Sequence, residues 1–527
     1  MKKVLVSDKL GDIGVEMFRE ADGISVDVKT GLTPEELKEV IPEYHGLVIR
    51  SATKVTEDVL AAAKNLEVVG RAGIGLDNVD IPAATRQGVI VMNTPGGNVV
   101  TTAEHAVAMM LALTRNIPQG TSSLRSGRWD KKVLQGREIF NKVLGVIGFG
   151  NIGSIVADRC KGLRMQVIVY DPHVQPERIR KAGFEPVTLD ELYARADYVT
   201  VHVPKLKETA NLLNKDAFER MKDGVFVVNC ARGGILNEDD LYDALKSGKV
   251  AGAALDVFST EPPGEHRLFA LDNVIATPHL GASTAEAQTN VAVAVAQQMI
   301  DYFQNGTICN AVNAPSVAGE LLEKLGPFLN LGDRMGALLA QLVEGPIREV
   351  DIEYSGEFDG LNLQPVNTAV IKGLLTPTLK DDVNFVNATA IAKERGIRVT
   401  ESMSPDAKDF IHLITVTATT ASGSQTVAGT IYGKNEPKIV QINRFRLELV
   451  PSGHILLIHN TDAPGAIGSI GMTLGENDVN IARMQVGQEK GGDRNVVFLE
   501  TDGPIPDDVV DKVRALPLVK SATPLQL

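Results

Sequence analysis

The sequence predicts an α/β protein in which two strand–helix regions are followed by two smaller α+β modules. Three observations predict this fold class. Residues 1–280 alternate short Val/Ile/Leu-rich runs with amphipathic segments, as expected for the strands and helices of parallel sheets. From about residue 348 the apolar residues alternate with polar ones, as in strands with one face in solvent. Residues 452–527 follow the order strand–helix–strand–strand–helix–strand.

The first region contains four predicted strands, in KVLVSD, GLVIR, EVVGRA and GVIVMNT. The intervening segments TPEELKEV and TEDVLAAAK are predicted helices, because each begins with a threonine cap and early acidic residues. We expect a flavodoxin-like domain formed by residues 1–97 and 283–315. The segment TTAEHAVAMMLALTRN follows as a long helix with an apolar face.

Residues 143–280 contain six further predicted strands, in VLGVIG, QVIVYD, YVTVHVP, VFVVNC, AGAALDV and NVIATP. Such near-continuous apolar runs are typical of strands buried on both faces. A helix is predicted from about Ser283 to Asn305, ending at Gly306. The chain thus leaves the first region near Asn98 and returns near Ala282. We expect residues 98–282 to form an inserted domain that closes on the first by a hinge.

The composition is that of an ordinary globular protein, with 44% hydrophobic and 23% charged residues. A net charge of −13 argues against nucleic acid or an acidic membrane surface as the main partner. The three cysteines, Cys160, Cys230 and Cys309, form no CxxC pair or disulfide framework, which favours a reduced, cytoplasmic setting. The sequence predicts neither a signal peptide nor a membrane span.

A glycine-rich motif, GFGNIG, lies between a predicted strand and a predicted helix, with Gly148, Gly150 and Gly153 at its three glycine positions. A second predicted strand then ends in Asp171. This arrangement is that of a Rossmann-type doubly wound sheet, in which the glycines admit a pyrophosphate and the acid binds the ribose hydroxyls. A carboxylate there repels a 2′-phosphate, so NAD is favoured over NADP. The alternative is a glycine-rich turn with a helix-capping aspartate.

Three residues offer the chemistry of alcohol oxidation beside a nicotinamide. That reaction needs a cation for a substrate carboxylate, a base for the hydroxyl proton and a partner for the base. Arg232 in NCARGG, Glu261 in DVFSTEPP and His279 in TPHLGAS each follow a predicted strand. Ligands of doubly wound sheets bind at the carboxyl ends of the strands, so all three fall on the expected edge.

The motifs GFGNIG, YDP, NCARGG, ALDVFSTEPP and TPHLGAS together resemble those of the D-isomer-specific 2-hydroxyacid dehydrogenases. The likeness covers roughly the first 310 residues and is strongest to the members that oxidise 3-phospho-D-glycerate. It implies that residues 98–282 are the NAD-binding domain and that the flavodoxin-like domain binds substrate. It further implies that Arg232 binds the substrate carboxylate and His279 exchanges the hydroxyl proton. Glu261 would hydrogen-bond that imidazole and make it a better base.

The resemblance also implies further contacts, several of them through the backbone. The additional cofactor contacts it implies, beside Arg232 and His279 themselves, are Ile74, Asn151, Ile152, Val203, Cys230, Ala231, Asp256 and Gly281. The substrate contacts it implies are Arg50, Ser51, Gly73, Gly75, Asn98 and Val99. A basic cluster in LRSGRWDKK, which includes Lys131, either reaches the active site of a neighbouring subunit or is a solvated loop.

Two C-terminal modules complete the prediction. Residues 452–527 resemble an ACT domain, a ferredoxin-like module that binds amino acids between paired copies. The resemblance places Asn460, Asp462 and Asn480 around a serine effector; alternatively these residues only cap and turn the chain. Residues 316–451, after a predicted linker at 313–320, resemble the intervening domain of the long-form members. Lys438, Arg444 and Arg446 there either bind an anion or form the wet face of a strand.

The resulting expectation is a homo-oligomeric, cytoplasmic enzyme that oxidises 3-phospho-D-glycerate to 3-phosphohydroxypyruvate with NAD, in the route to L-serine. We expect serine as its effector and no metal. Two alternatives stay open from the sequence. One is a dehydrogenase of another D-2-hydroxy acid. The other is an NADH-sensing scaffold, which would keep the same dehydrogenase residues.

Overall fold

The computed structural model describes residues 1–316, 320–407, 409–488 and 494–527. It contains four sheets in chain order: two parallel sheets, one mixed sheet and one antiparallel sheet. This is the fold class that the sequence predicts. The predicted linker at 313–320 falls partly outside the described residues, because 317–319 lie in a gap. The domain boundaries given above stay a prediction.

The first sheet is wholly parallel, with strand order β2-β1-β3-β4-β5, the flavodoxin-like order. Three of the four helices between these strands begin at side-chain caps, such as the capping box of Thr33 and Glu36, whereas the helix that begins at Asp12 has no side-chain cap. Strand β2 and helices α1 and α4 were not predicted. The elements are β1 (Lys2–Val6), α1 (Asp12–Glu20), β2 (Ile24–Val28), α2 (Pro34–Val40), β3 (Gly46–Ile49), α3 (Glu57–Ala62), β4 (Val68–Arg71), α4 (Ile81–Arg86) and β5 (Ile90–Met92).

The second sheet is also parallel, with strand order β12-β11-β10-β9-β6-β7-β8. This is the Rossmann order extended by one strand, and the switch point lies between β6 and β9. Its elements are α5 (Val99–Thr114), α6 (Ile117–Arg125), β6 (Val143–Ile147), α7 (Asn151–Gly162), β7 (Gln166–Tyr170), α8 (Pro176–Lys181), β8 (Glu185–Pro186), α9 (Leu189–Arg195), β9 (Tyr198–Val201), α10 (Lys215–Arg220), β10 (Val225–Asn229), α11 (Glu238–Ser247), β11 (Val250–Leu255) and β12 (Val274–Ala276).

Helix α12 (Ala285–Asn305) returns the chain to the first sheet. Its Val291, Val295 and Met299 share a buried cluster with strands of that sheet. The second sheet is therefore inserted between β5 and α12, as the sequence predicts from the linear order. Within the part of the chain that the structure describes, no helix combines the length and the apolar character needed to cross a bilayer.

The third sheet is mixed, with strand order β14-β13-β15-β16-β17-β18. Four of its strands were predicted; β14, β17 and the three helices were not. Arg444 lies in the turn just before β18, whereas Arg446 lies on that strand, so the two arginines do not form one strand face. The elements are α13 (Glu320–Leu342), β13 (Glu349–Gly356), α14 (Gln364–Leu379), α15 (Ala388–Glu394), β14 (Arg398–Ser404), β15 (His412–Thr419), β16 (Ser424–Tyr432), β17 (Glu436–Ile442) and β18 (Phe445–Leu449).

The fourth sheet is antiparallel, with strand order β20-β21-β19-β22, and every predicted element of this module is present. One sheet face packs on α16 and α17, and the other shares a buried cluster with the third sheet through Leu457 and Phe498. Its elements are β19 (His454–Thr461), α16 (Ala466–Gly475), β20 (Ile481–Gln488), β21 (Arg494–Thr501), α17 (Asp507–Arg514) and β22 (Val519–Gln526).

Candidate active site

The candidate site lies where the carboxyl ends of the two parallel sheets meet. The clearest contact across the cleft joins Arg232, just after β10, to Asp77 on the loop after β4, with 2.9 Å between Nε and Oδ2. Strands β10, β11 and β12 are neighbours, so the segments that carry Arg232, Glu261 and His279 leave the sheet side by side. This is the edge at which doubly wound sheets bind ligands.

The glycine motif forms the turn between β6 and α7. A Cβ atom at Gly148 would lie 2.9 Å from the carbonyl carbon of His202, and one at Gly153 would lie 1.9 Å from the carbonyl oxygen of Gly148. A Cβ at Gly150 would meet nothing within 4 Å. Two glycines thus allow close internal packing, while the third leaves open space beside the start of α7. That open space, next to free helix N–H groups, fits a pyrophosphate.

Asp171 follows β7 and lies against the same turn. Its Oδ2 accepts the N–H of Phe149 at 2.7 Å, and its Oδ1 accepts the N–H of His173 at 2.8 Å. Each carboxylate oxygen keeps a lone pair for a further donor. The carboxylate is therefore placed and oriented as ribose recognition requires, and its negative charge disfavours a 2′-phosphate. The residues present fit NAD.

Beneath the turn lies His202, which the sequence reasoning missed. Its Nε2 is 2.9 Å from the hydroxyl of Thr200, whereas its Nδ1 is shielded from solvent and meets no donor or acceptor among the described residues. Burial lowers the pKa of His202 to about 4. The ring is thus neutral at physiological pH and supports the backbone of the phosphate-binding turn without adding charge.

His279 and Glu261 form the predicted acid–base pair. The Nδ1 of His279 is 2.7 Å from Oε2 of Glu261, and the other carboxylate oxygen accepts the N–H of Phe258 at 3.0 Å. A carboxylate on Nδ1 fixes the tautomer and leaves Nε2 as the proton-exchanging nitrogen. Both side chains are partly exposed, which leaves His279 accessible to a substrate.

The backbone of His279 is held in the left-handed region, with φ of 55°. Asp256, at the end of β11, stabilises this turn. Its carbonyl oxygen accepts the N–H of His279 at 2.9 Å, and its carboxylate accepts the N–H groups of Leu280 at 2.7 Å and Gly281 at 2.8 Å. The carboxylate of Asp256 is thus hydrogen-bonded within the protein, and its contact with a cofactor stays a prediction.

The buried Asp256 carboxylate has two side-chain partners as well. The hydroxyl of Thr277 donates to Oδ1 of Asp256 at 2.6 Å. The Nε2 atom of His105, from α5, lies 3.2 Å from the same oxygen. Burial alone would raise the pKa of Asp256, but these hydrogen bonds and the one from the Leu280 N–H outweigh it and lower the pKa below its usual value. His105 was not singled out from the sequence, because it lies within the apolar pattern of a long helix.

Arg232 lies in the predicted place with two hydrogen bonds already made. Besides Asp77, it donates from Nη1 to the carbonyl oxygen of Ala231 at 2.7 Å. Its Nη2 lies against the backbone at Gly75, where a Cβ atom would be only 1.9 Å away. Gly75 is thus needed for the guanidinium to reach the first-sheet loop. Asp77 was not predicted from the sequence.

Arg71, the last residue of β4, was also missed. Its Nε is buried and meets no acceptor among the described residues, and its Nη1 lies where a Cβ at Gly73 would be 2.5 Å away. Burial, together with the nearby positive charges of Arg232 and Arg50, lowers the pKa of Arg71 to about 10. Three arginines therefore converge on the cleft, with aspartates as opposing charges, which makes an anion-binding surface.

The other predicted contacts lie around this cleft with varied roles for their side chains. Ile74 offers its carbonyl oxygen to Asn93 at 2.7 Å, and the buried Cys230, whose thiol pKa is raised by burial, lies at the end of β10. Asn98 stands at the N-cap position of α5, with its Oδ1 buried and unmatched within the described residues. The remaining predicted contacts lie on the loops or helix starts bordering the cleft: Ser51, Val99, Asn151, Ile152 and Val203.

Lys131 lies on an exposed loop. The same loop carries Trp129, which is 80% exposed.

The predicted effector residues are not brought together within one chain. Asn460 is buried beside Asn495 at one end of β21, whereas Asn480 hydrogen-bonds Asp502 at the other end, with 2.7 Å between Nδ2 and Oδ2.

Asp462, the third predicted effector residue, accepts a hydrogen bond from Asn495 Nδ2 at 2.8 Å. In the third sheet, Arg446 lies 3.2 Å from Asp409, and Lys438 lies 4.0 Å from Glu436. These two cations face carboxylates of their own module. The structure therefore gives the predicted anion site of this module no independent support.

Comparison with known proteins identifies three regions. Residues 107–281 match the D-isomer specific 2-hydroxyacid dehydrogenase NAD binding domain, 324–443 the D-3-phosphoglycerate dehydrogenase intervening domain, and 454–518 the ACT domain. A solved structure, the TT0316 protein from Thermus thermophilus, superposes with a TM-score of 0.55 at 32% identity, over 59% of this chain and 99% of its own.

Relatives match along the whole length. A D-3-phosphoglycerate dehydrogenase of Synechocystis is 42% identical over 100% of this chain and 95% of its own. One of Archaeoglobus fulgidus is 43% identical over 100% of both. Such identity over the full length of both chains includes the two C-terminal modules as well as the dehydrogenase part. The chain belongs to the D-3-phosphoglycerate dehydrogenase family, among the D-isomer-specific 2-hydroxyacid dehydrogenases.

Proposed function

We propose that this chain oxidises 3-phospho-D-glycerate to 3-phosphohydroxypyruvate with NAD, and so begins the phosphorylated route to L-serine. One observation carries the proposal. The hydrogen-bonded pair of His279 and Glu261 stands beside Arg232 on three adjacent strand ends, and Arg232 reaches across the cleft to the first sheet. A base with its partner and a carboxylate-binding cation are what oxidation of a 2-hydroxy acid requires.

In the proposed mechanism Arg232 binds the substrate carboxylate through the N–H groups that Asp77 and Ala231 leave available. His279 removes the C2 hydroxyl proton at Nε2, since Glu261 holds Nδ1 and stabilises the imidazolium that forms. The glycine turn and Asp171 would hold NAD, which would supply the acceptor for the hydride that leaves C2. In reduction the protonated His279 returns the same proton to the carbonyl oxygen.

The substrate phosphate needs positive charge beyond Arg232. Arg50 and Arg71 supply it from the first sheet in this proposal. The exposed loop with Trp129 and Lys131 would pack on a second copy of the chain, because so large an exposed indole is typical of an interface. We therefore propose a homo-oligomer in which the basic residues of this loop lie near the active site of the other copy.

We further propose that L-serine binds to paired C-terminal modules and inhibits the enzyme. Support comes from the separation of the effector residues within one chain. Asn480 stands at one end of β21, and Asn460 and Asp462 stand at the other. Two modules placed side by side would bring the two sets together. Edge strands such as β20 commonly pair between chains.

A cytoplasmic location completes the proposal. All three cysteines are free thiols: Cys160 and Cys230 are buried and Cys309 is partly buried. Proteins of reducing compartments typically keep their thiols unpaired.

The first experiment is NADH consumption with 3-phosphohydroxypyruvate, with and without millimolar-scale L-serine. Rapid oxidation of NADH that serine suppresses supports both the activity and its regulation. Rapid oxidation that serine leaves unchanged supports the activity and contradicts the effector proposal. NADH binding without oxidation contradicts the proposed substrate. Hydroxypyruvate, 2-oxoglutarate and pyruvate in the same assay then distinguish another 2-hydroxy acid from a sensing scaffold, which would reduce none of them.

A further inference from the structure

Two side chains that are distant in sequence hold the loop after β3, residues 50–53. Asp8, just after β1, accepts three donors of this loop. Its Oδ2 accepts the N–H of Arg50 at 2.6 Å and that of Thr53 at 3.1 Å, and its Oδ1 accepts the hydroxyl of Thr53 at 2.8 Å. The carboxylate is almost inaccessible, with Asp8 only 7% exposed.

Asn78 holds the same loop from the side of its carbonyl groups. Its Nδ2 donates to the carbonyl oxygens of Arg50 at 2.7 Å and Thr53 at 2.6 Å. The backbone of Asn78 is itself fixed, because its carbonyl oxygen accepts the N–H of Val55 at 2.8 Å. Both peptide groups of Arg50 and of Thr53 are therefore satisfied by Asp8 and Asn78 together.

Two backbone N–H groups at the apex of this loop are available to bind a ligand. Ser51 and Ala52 lie between the two fixed residues and are exposed. No described residue accepts their N–H groups, although the N–H groups on either side are bound. Adjacent free N–H groups on a rigid turn, next to a guanidinium, form the kind of concavity that binds phosphate oxygens.

A buried carboxylate is an expensive way to hold a loop for stability alone. Asp8 has no ion-pair partner within hydrogen-bonding distance in the described part of the chain, and its charge is balanced by loop donors and by the more distant Arg71. Burying an ion without a direct counter-ion is strongly unfavourable unless hydrogen-bond donors compensate it. The donors that compensate the charge of Asp8 belong to this one loop. The buried carboxylate therefore fixes the position of the loop.

We propose that Asp8 and Asn78 are positioning residues for phosphate recognition. They hold the 50–53 loop so that the Arg50 guanidinium, the Ser51 hydroxyl and the N–H groups of Ser51 and Ala52 bind the substrate phosphate together. The proposal rests on the proposed function, because it presumes a phosphorylated substrate. It goes beyond it by assigning phosphate selectivity to two residues that do not touch the substrate.

The test compares two substrates that differ only in the phosphate, 3-phosphohydroxypyruvate and hydroxypyruvate, in the NADH-consuming direction. Asp8→Ala and Asn78→Ala are expected to lower kcat/KM for the phosphorylated acid at least tenfold, mainly through KM. They should change kcat/KM for hydroxypyruvate less than threefold. Inorganic phosphate, a competing anion, should inhibit hydroxypyruvate reduction by the unaltered protein and lose at least tenfold in inhibitory strength in both variants.

Two matched variants separate positioning from general loss of structure. Asn65→Ala removes a similar hydrogen bond, from Nδ2 to the carbonyl oxygen of Pro42 at 2.7 Å, at the opposite edge of the same sheet. This variant should leave unchanged the ratio of kcat/KM for 3-phosphohydroxypyruvate to kcat/KM for hydroxypyruvate. Thr53→Ser keeps the hydroxyl that Asp8 accepts and should also leave it unchanged, whereas Thr53→Val should shift it in the direction of Asp8→Ala.

The outcomes are distinguishable. An equal fall in kcat/KM for both substrates, or no change in the ratio, overturns the positioning proposal. If Asp8→Ala does not fold, Asn78→Ala and Thr53→Val decide the matter by the same ratio. Failure of the unaltered protein to reduce 3-phosphohydroxypyruvate overturns the proposed function instead.

Discussion

At the scale of single residues, the chemistry of the candidate site depends on a few hydrogen bonds that fix direction. His279 is the clearest case, because its ring is oriented by Glu261 and its left-handed backbone is held by Asp256. Its only ring nitrogen without a partner among the described residues is Nε2. The proposed base is thus specified by its neighbours and not only by its own identity.

Replacing His279 by alanine should lower kcat by at least about 100-fold, because a positioned general base contributes about 100- to 10,000-fold. Binding of NADH should persist, since the glycine turn and Asp171 are untouched. Steady-state kinetics and a fluorescence titration with NADH check the two halves of this prediction. Retained turnover in the variant would show that another group exchanges the proton.

His202 predicts a dependence of stability on pH. Its pKa is about 4 in the folded chain, below the value of about 6.5 expected when unfolded, so unfolding takes up a proton between these values. The stability it supports is complete above pH 6.5 and falls as the pH falls toward 4. Although the residue is partly exposed, its Nδ1 is shielded, so we expect up to about 2 kcal/mol to be lost between pH 7 and pH 5.

The replacement His202→Gln should remove most of that loss, since glutamine does not titrate and can still bond the Thr200 hydroxyl. Urea denaturation at pH 7 and pH 5 measures this loss of stability. The transition to follow is the one that NADH shifts to higher urea concentration, because that transition reports the cofactor-binding region. If the free energy of unfolding depended equally on pH in the parent and in the variant, protonation of the His202 ring would not destabilise the folded state.

Several residues that build the cleft could not be found from the sequence. Arg232, Glu261 and His279 stood out because each follows a predicted strand in a distinctive motif. Asp8 and Asn78 did not, because their partners lie 42 and 28 positions away and nothing local marks them. Arg71 ends a predicted strand, where a charged residue is commonplace. Their roles come from the packing of loops, which periodicity and spacing do not encode.

At the scale of elements, the three glycines of the turn from β6 into α7 have different structural roles. Gly148 and Gly153 let backbone pack on backbone inside the turn, while Gly150 borders open space. The backbone of Gly150 has an ordinary negative φ of −79°, which alanine also adopts. A methyl group therefore has opposite consequences at Gly150 and at Gly153.

Gly150→Ala should leave the thermal midpoint within about 2 °C of the parent while weakening NADH binding at least tenfold, because the methyl group fills the proposed pyrophosphate space. Gly153→Ala should instead destabilise the fold by about 1–3 kcal/mol, since helix α7 must move away from Gly148. Calorimetry and NADH titration on both variants check the contrast. If Gly150→Ala left NADH binding unchanged, the cofactor would not use the open space beside Gly150.

The elements that sequence reasoning found were those with strong apolar runs. Edge strand β14 was missed because nearly all of its residues are exposed and most are polar. Edge strand β2, with the sequence ISVDV, was missed although its apolar and polar residues alternate. Helix α13 was missed at a point where Pro327 interrupts its pattern, although it packs into the core of the third sheet. The antiparallel fourth sheet was predicted completely, because each of its short elements lies between clear turns.

At the scale of the whole molecule, the two C-terminal modules are not independent. Phe498 and Leu457 of the fourth sheet share a buried cluster with Ile442 and Leu449 of the third. The neighbouring Leu499 faces the other way, into a separate cluster with the helices of its own module. Adjacent residues of one strand thus hold two different interfaces, as the alternation of a strand requires.

Phe498→Ala should loosen the contact between the third and fourth sheets, because removing a buried phenylalanine costs about 3–5 kcal/mol. Hydrogen exchange should then rise in β17 and β18 as well as in β21. Leu499→Ala is the matched control, with faster exchange confined to residues 454–527. Confinement of the Phe498→Ala effect to the same residues would mean that the two modules open independently.

The insertion of the second sheet between β5 and α12 limits how the molecule can move. A body tethered by one connection can swivel about three axes. Here the chain crosses twice, at residues 93–98 and again at 277–284, so a small rotation that stretches neither crossing must run about the line that joins them. Any opening of the cleft would thus be restricted to about one rotation, which would move Arg232 relative to the 50–53 loop along a single arc.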